Sequence, residues 1–112
     1  AHPLSTLLDM HHGLANALMI PYGMEFNLAG QEERFAEMAK ALGLEIHTGE
    51  AVIDHLFNLN EQVGIPRQLS SQGVKAEHLE QLADLALADF CHPNNPKPVT
   101  REDFLNMYEQ AL

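Results

Sequence analysis

The stretch HPLSTLLDMHHGLANALMIPYGMEFN, residues 2–27, decides the fold. Its second half, Leu14 to Leu28, is apolar on almost every side. A helix without a polar face gains nothing from water in any direction, so its place is the middle of a bundle. The fold expected is all-α: a helical bundle of about five main helices around a buried central helix over residues 13–28. Pro21 removes the bond to the Ala17 carbonyl and predicts a kink. Asp9 to Gly13 reads as a break, with Asp9 placed to cap the start of the central helix. Ala1 to Leu8 reads as a short apolar piece, the last turns of a helix.

Downstream, the apolar positions recur at helical spacing. Gln31 to Leu42 carries Phe35, Met38, Ala39 and Leu42 on one face, and Gly43 follows as a C-cap. Glu32 and Glu33 stand in its first turn and Lys40 in its last, as the helix dipole prefers. Thr48 is an N-cap for a helix over 50–63 whose face is Val52, Leu56, Leu59 and Val63; Gly64-Ile65-Pro66 stops it. A further helix over 76–90 presents Leu79, Leu82, Ala83, Ala86 and Phe90. The segment CHPNNPKPV, 91–99, holds three prolines and cannot be regular. Thr100 opens a capping box with Asp103, and the last helix faces inward with Phe104, Met107, Tyr108 and Ala111. No stretch alternates with period two long enough to make a strand.

Composition bounds the function. A chain of 112 residues supports one domain with a core, and 46% hydrophobic residues place it among folded proteins. Sixteen acidic residues against six basic ones, a formal charge of -10, argue against nucleic acid and anionic membrane surfaces as partners. No apolar run reaches a membrane span. The single cysteine cannot pair internally, which fits a cytoplasmic location.

Chemistry is sparser. His11 and His12 are adjacent, so on a helix their side chains diverge by about 100° and one metal would not take both. His2 and His12 converge only if the chain folds back at the break. By spacing alone, capping or core histidines rank ahead of a metal site. His47, His55 and His78 read as ordinary surface histidines. Cys91 beside His92 invites a nucleophile reading, but no third group orients a base, and a small apolar Cys at a helix end is the better reading. No Gly-rich phosphate loop follows a strand.

The motifs taken together carry more. His2-Pro3-Leu4, then His12-Gly13-Leu14-Ala15-Asn16-Ala17, then Ile20-Pro21 and Phe26-Asn27 resemble the iron-containing (group III) alcohol dehydrogenase family. Val63-Gly64-Ile65-Pro66 with Leu69 and Gly73-Val74 resembles a second family segment. Asp89, Cys91, Asn95-Pro96-Lys97, Thr100, Asp103 and Tyr108 resemble its ending. The resemblance runs in order from residue 1 to residue 112. It implies a nicotinamide-dependent alcohol or aldehyde oxidoreductase, with a divalent metal (Fe²⁺ ahead of Zn²⁺) and NAD(P) in the complete enzyme. In such enzymes an N-terminal α/β domain holds the cofactor and a C-terminal helical domain holds the metal through one Asp and three His.

Residue by residue, the resemblance implies that His12 is a metal ligand, the last of the three His. It implies that His2 is a catalytic proton-relay or substrate-orienting group. It implies that Cys91 lines the pocket on the cofactor-binding side. The other ligand positions have no counterpart here. The chain is thus expected to be a C-terminal fragment lacking its cofactor domain, inactive in isolation. Leu4, Leu7, Leu8 and the central helix would then expose apolar surface and favour a homo-oligomer. The alternatives are a stand-alone helical interaction module and a metal-free relative such as a reductase.

Overall fold

A computed structural model describes residues 1–112. The chain is helical and contains no strand. Its elements are α1 (His2–Leu8), α2 (His12–Leu28), α3 (Glu32–Ala41), α4 (Gly49–Gln62), α5 (Leu79–Ala88) and α6 (Arg101–Ala111), with short 3-10 turns at Leu69–Gln72, Ala76–His78 and His92–Asn94. The residues before Asp9 form a helix in their own right, with Pro3 in the first turn where its missing N–H costs nothing.

The expected central helix is α2. It packs against α1, α4 and α6, while α5 packs against α1 and α6. The main core gathers Leu4, Leu18, Leu69, Leu82 and Tyr108. A smaller core joins Phe35 and Ala39 of α3 to Val52 of α4, with Met24 and Leu28 of α2 beneath. Gly49 permits this second junction. It is buried, and a Cβ there would lie 2.0 Å from Cδ1 of Leu28.

Pro21 leaves α2 unbroken, and the structure shows the compensation. The Ala17 carbonyl, deprived of its helical donor, accepts a hydrogen bond from Asn60 Nδ2 of α4 at 2.7 Å. The Tyr22 hydroxyl next along donates to the Arg67 carbonyl at 2.7 Å, and Arg67 lies 3.9 Å over the Phe57 ring. One polar side chain therefore offsets a proline inside the helix. Asn60→Ala strands the partly buried carbonyl and is expected to cost about 1 kcal/mol, the low end of the penalty for an unpaired acceptor. Urea denaturation checks this against Asn58→Ala, an exposed neighbour on α4 expected to cost under about 0.5 kcal/mol. Equal losses in the two variants would refute the assignment.

Several sequence expectations need correction. Asp9 does not cap α2; it ends α1 in the left-handed conformation, and His11 occupies the N-cap position of α2 without a side-chain bond. Met38 of α3 and Leu42 just after it, and Leu59 of α4 and Val63 just after it, are exposed. Those helices meet neighbours along narrower stripes than their apolar spacing suggests. Phe90, which helical spacing puts on the buried face of the fifth helix, is 85% exposed. The helix stops at Ala88 because Asp89 turns extended, so Phe90 leaves the helical register. Leu4 is fully buried and Leu7 and Leu8 pack on the main core, so α1 covers its apolar residues within this chain. Burial of α2 is one-sided, with Ile20 exposed at 49%.

Candidate active-site cleft

The link between α1 and α2 brings two histidines together. Asp9, at φ 54°, is the one non-glycine residue with positive φ. Its short polar side chain tolerates that region better than most. The Met10 N–H closes the turn onto the Leu4 carbonyl. The chain folds back there, and the His2 and His12 rings meet edge-on with centroids 6.3 Å apart.

The proline-rich segment after α5 forms the opposite wall, and α2 holds it. Asn27 and Asn95 exchange two side-chain hydrogen bonds, at 2.9 and 2.7 Å, and Asn95 Nδ2 also donates to the Lys97 carbonyl. Lys97 Nζ sits 4.0 Å over the Phe26 ring. His92 donates from Nε2 to the Leu87 carbonyl and sets its ring edge against Phe104. Between the walls lies a cleft of about 710 Å³, lined among others by His2, His12, Asn16, Phe26, Cys91 and Tyr108. That volume suits a small molecule or part of a cofactor.

Asp89 organises the floor of the cleft. Its Oδ2 accepts from His2 Nδ1 at 2.8 Å, and its Oδ1 accepts from the Cys91 backbone N–H at 3.0 Å. These bonds hold the Asp89 carboxyl below its ordinary range, with the Cys91 backbone N–H first, then the Cys91 thiol and His2. The same carboxylate pushes the Cys91 thiol up. Cys91 is exposed and lies beyond the end of α5 rather than closing it. With a raised thiol and His92 engaged at Leu87, it has no activating base, and the nucleophile reading falls.

Tyr108 closes the inner end. Burial, and secondarily the Asp89 charge, push its phenol up to about 12. Its hydroxyl makes no hydrogen bond within the chain, so Tyr108→Phe should be nearly neutral at pH 7. The unfolded phenol ionises near 10.0, below the folded value. The folded state is therefore unaffected by this group below about pH 10 and loses up to about 3 kcal/mol as pH rises through 12, because the buried phenolate is penalised. Denaturation between pH 9 and 12 should show a shallower decline in Tyr108→Phe; equal slopes would contradict this.

All three residues singled out from the sequence, His2, His12 and Cys91, line the one cleft. His11 is exposed and does not line it, and His78 caps the turn before α5 by accepting from the Lys75 N–H. As a metal centre, the donor set within residues 1–112 is incomplete. No three His, Cys, Asp or Glu side chains converge closely enough to hold an ion. His12 keeps one imidazole nitrogen open: Nδ1 lies 3.3 Å from Ser5 Oγ and Nε2 has no partner. Asp89, the Asn27–Asn95 pair and Tyr108 are site features that residue types alone did not assign. The spacing Asp-x-Cys at a helix end is an Asx-turn pattern and was the available signal for Asp89.

The chain is similar to known proteins along its whole length. Residues 1–112 match the family described as Fe-containing alcohol dehydrogenase family, C-terminal. Lactaldehyde reductase of Escherichia coli K12 is 34% identical over 117 residues, covering 99% of this chain and 31% of that protein. A crystal structure of 1,3-propanediol oxidoreductase superposes with a TM-score of 0.93 at 31% identity, over 99% of this chain and 31% of that one. An alcohol dehydrogenase from Oenococcus oeni gives 0.90 at 35% identity, over 99% and 30%. The chain thus spans about a third of the length of the relatives it matches.

Proposed function

The chain belongs to the iron-containing alcohol dehydrogenase family, as its C-terminal helical part, and from that premise we propose that it forms one wall of the active site of a nicotinamide-dependent alcohol or aldehyde oxidoreductase. The observation that carries this reading is the convergence of His2, His12 and Cys91, distant in sequence, on a single cleft.

Each residue has a role in that reaction. His12 offers its open Nε2 as one imidazole donor to a divalent metal, Fe²⁺ in preference to Zn²⁺, whose other ligands lie outside residues 1–112. A bound divalent metal would supply Lewis acidity toward the substrate oxygen, and NAD(P) would supply the hydride-transfer chemistry. His2 accepts the proton that the alcohol oxygen loses as its carbon loses hydride, and returns it in the reverse direction. Cys91, with its thiol protonated, borders the cofactor side as a neutral contact. Met19 and Phe26 of α2 limit water in the cleft.

Relatives named for lactaldehyde and 1,3-propanediol point to small hydroxylated substrates. The exposed Ile46, Val63 and Phe90 fit burial against other parts of a larger protein or a second copy in a homo-oligomer. The test is alcohol-dependent reduction of NAD⁺ and NADP⁺ by the complete enzyme, with His2→Ala as the variant. A fall in kcat of about 100-fold or more supports the reading, by the usual size of general acid–base contributions. Undiminished turnover in that variant overturns the role of His2.

A further inference from the structure

We propose that Asp89 is a positioning residue for His2: it fixes the imidazole as the Nδ1–H tautomer and leaves Nε2 as the proton acceptor in the cleft. The catalytic meaning rests on the reading of His2 given above; the geometry does not. Asp89 and His2 are 87 residues apart, one just beyond the end of α5 and the other opening α1, yet Oδ2 and Nδ1 meet at 2.8 Å. The carboxylate can only accept, so the hydrogen in that bond belongs to Nδ1. Neutral imidazole carries one N–H, which leaves Nε2 with a free lone pair and no partner in the chain.

The two members of the pair differ in environment. The Asp89 side chain is 13% exposed, whereas His2 is 63% exposed. The carboxylate is anchored, and the ring is held from one side only. The anchor is the second oxygen, which accepts from the Cys91 N–H. Asp89 therefore cannot rotate to follow His2 without giving up its own turn. A carboxylate held by backbone on one oxygen and holding an imidazole by the other is the arrangement that orients a base. An unheld histidine at this exposure would sample both tautomers and several rotamers, and only some would present a free nitrogen to the cleft.

The experiment is ¹⁵N NMR of the protein labelled at histidine, read alongside steady-state kinetics. In the wild type, His2 should show a protonated Nδ1 and an unprotonated Nε2. Asp89→Asn, which can donate as well as accept, should mix or reverse the tautomers and lower kcat about 10-fold or more with KM little changed. Asp89→Glu, which keeps the charge, should recover part of both. A wild-type His2 in the Nε2–H form overturns the proposal without any variant, so a misfolded Asp89→Asn protein does not protect it. An unchanged tautomer in a folded Asp89→Asn protein also overturns it. If His2→Ala leaves turnover intact while the tautomer still follows Asp89, the reading of His2 as proton carrier fails and the positioning stands.

Discussion

Replacing His12 by Ala is expected to lower divalent-metal content and turnover together, by at least about 100-fold in metal affinity. The floor comes from neighbours of ligands: removing a group that only orients a ligand typically costs 10–100-fold, and removing a direct donor costs more. The structure makes His12 the donor to test. It opens α2, lines the cleft, and leaves Nε2 free while Nδ1 lies by Ser5. His11, one residue earlier, provides the control. It is exposed and absent from the cleft lining, so His11→Ala should keep both metal and activity. Metal analysis of the purified variants, beside turnover, separates a lost ligand from a lost fold. A His12→Ala protein with full metal content would remove His12 from the ligand set.

The largest stability loss should follow truncation of Leu82. This side chain is 0% exposed in the middle of α5, which packs against both α1 and α6. Leu→Ala at such a position removes packed methyl groups and leaves a cavity, with a cost of about 2–5 kcal/mol. Domains of this size have about 5–15 kcal/mol in all, so at mid-range about a third of the stability is at stake. Leu85 and Leu87 on the same helix are exposed at 38% and 41%, and their truncation should cost under about 1 kcal/mol. Chemical denaturation of the three variants gives the comparison. The site should respond as well, because Asp89 follows directly on α5 while His2 opens α1. A Leu82→Ala protein as stable as Leu85→Ala would mean that α5 does not organise the core.

The split between the capping and packing signals follows from their range. Thr48 and Thr100 cap their helices as expected, with Thr100 and Asp103 forming the full box, because those bonds span only three residues. Likewise the apolar rows of α5 and α6 fall inward at Leu82, Ala86, Tyr108 and Ala111. Rows on α3 and α4 mislead at Met38, Leu59 and Val63, because spacing marks a face but not whether another element covers it. Phe90 misleads for a local reason with a tertiary origin: Asp89 leaves the helix to reach His2 and the Cys91 N–H.

What the sequence by itself determined is the helical class, the ends of most helices, and the family, through motifs that lie in order along the chain. It also singled out His2, His12 and Cys91. Only the tertiary structure decided that these belong to one cleft. Their meeting depends on a left-handed turn at Asp9, an amide pair between Asn27 and Asn95, and a carboxylate 87 residues from its imidazole. The rescue of Pro21 by Asn60 is of the same kind. Local periodicity and capping are properties of neighbouring residues and can be read along the chain. Long-range hydrogen bonds are not, because any of several polar side chains could have met the same need, and only the packing of helices selects which one does.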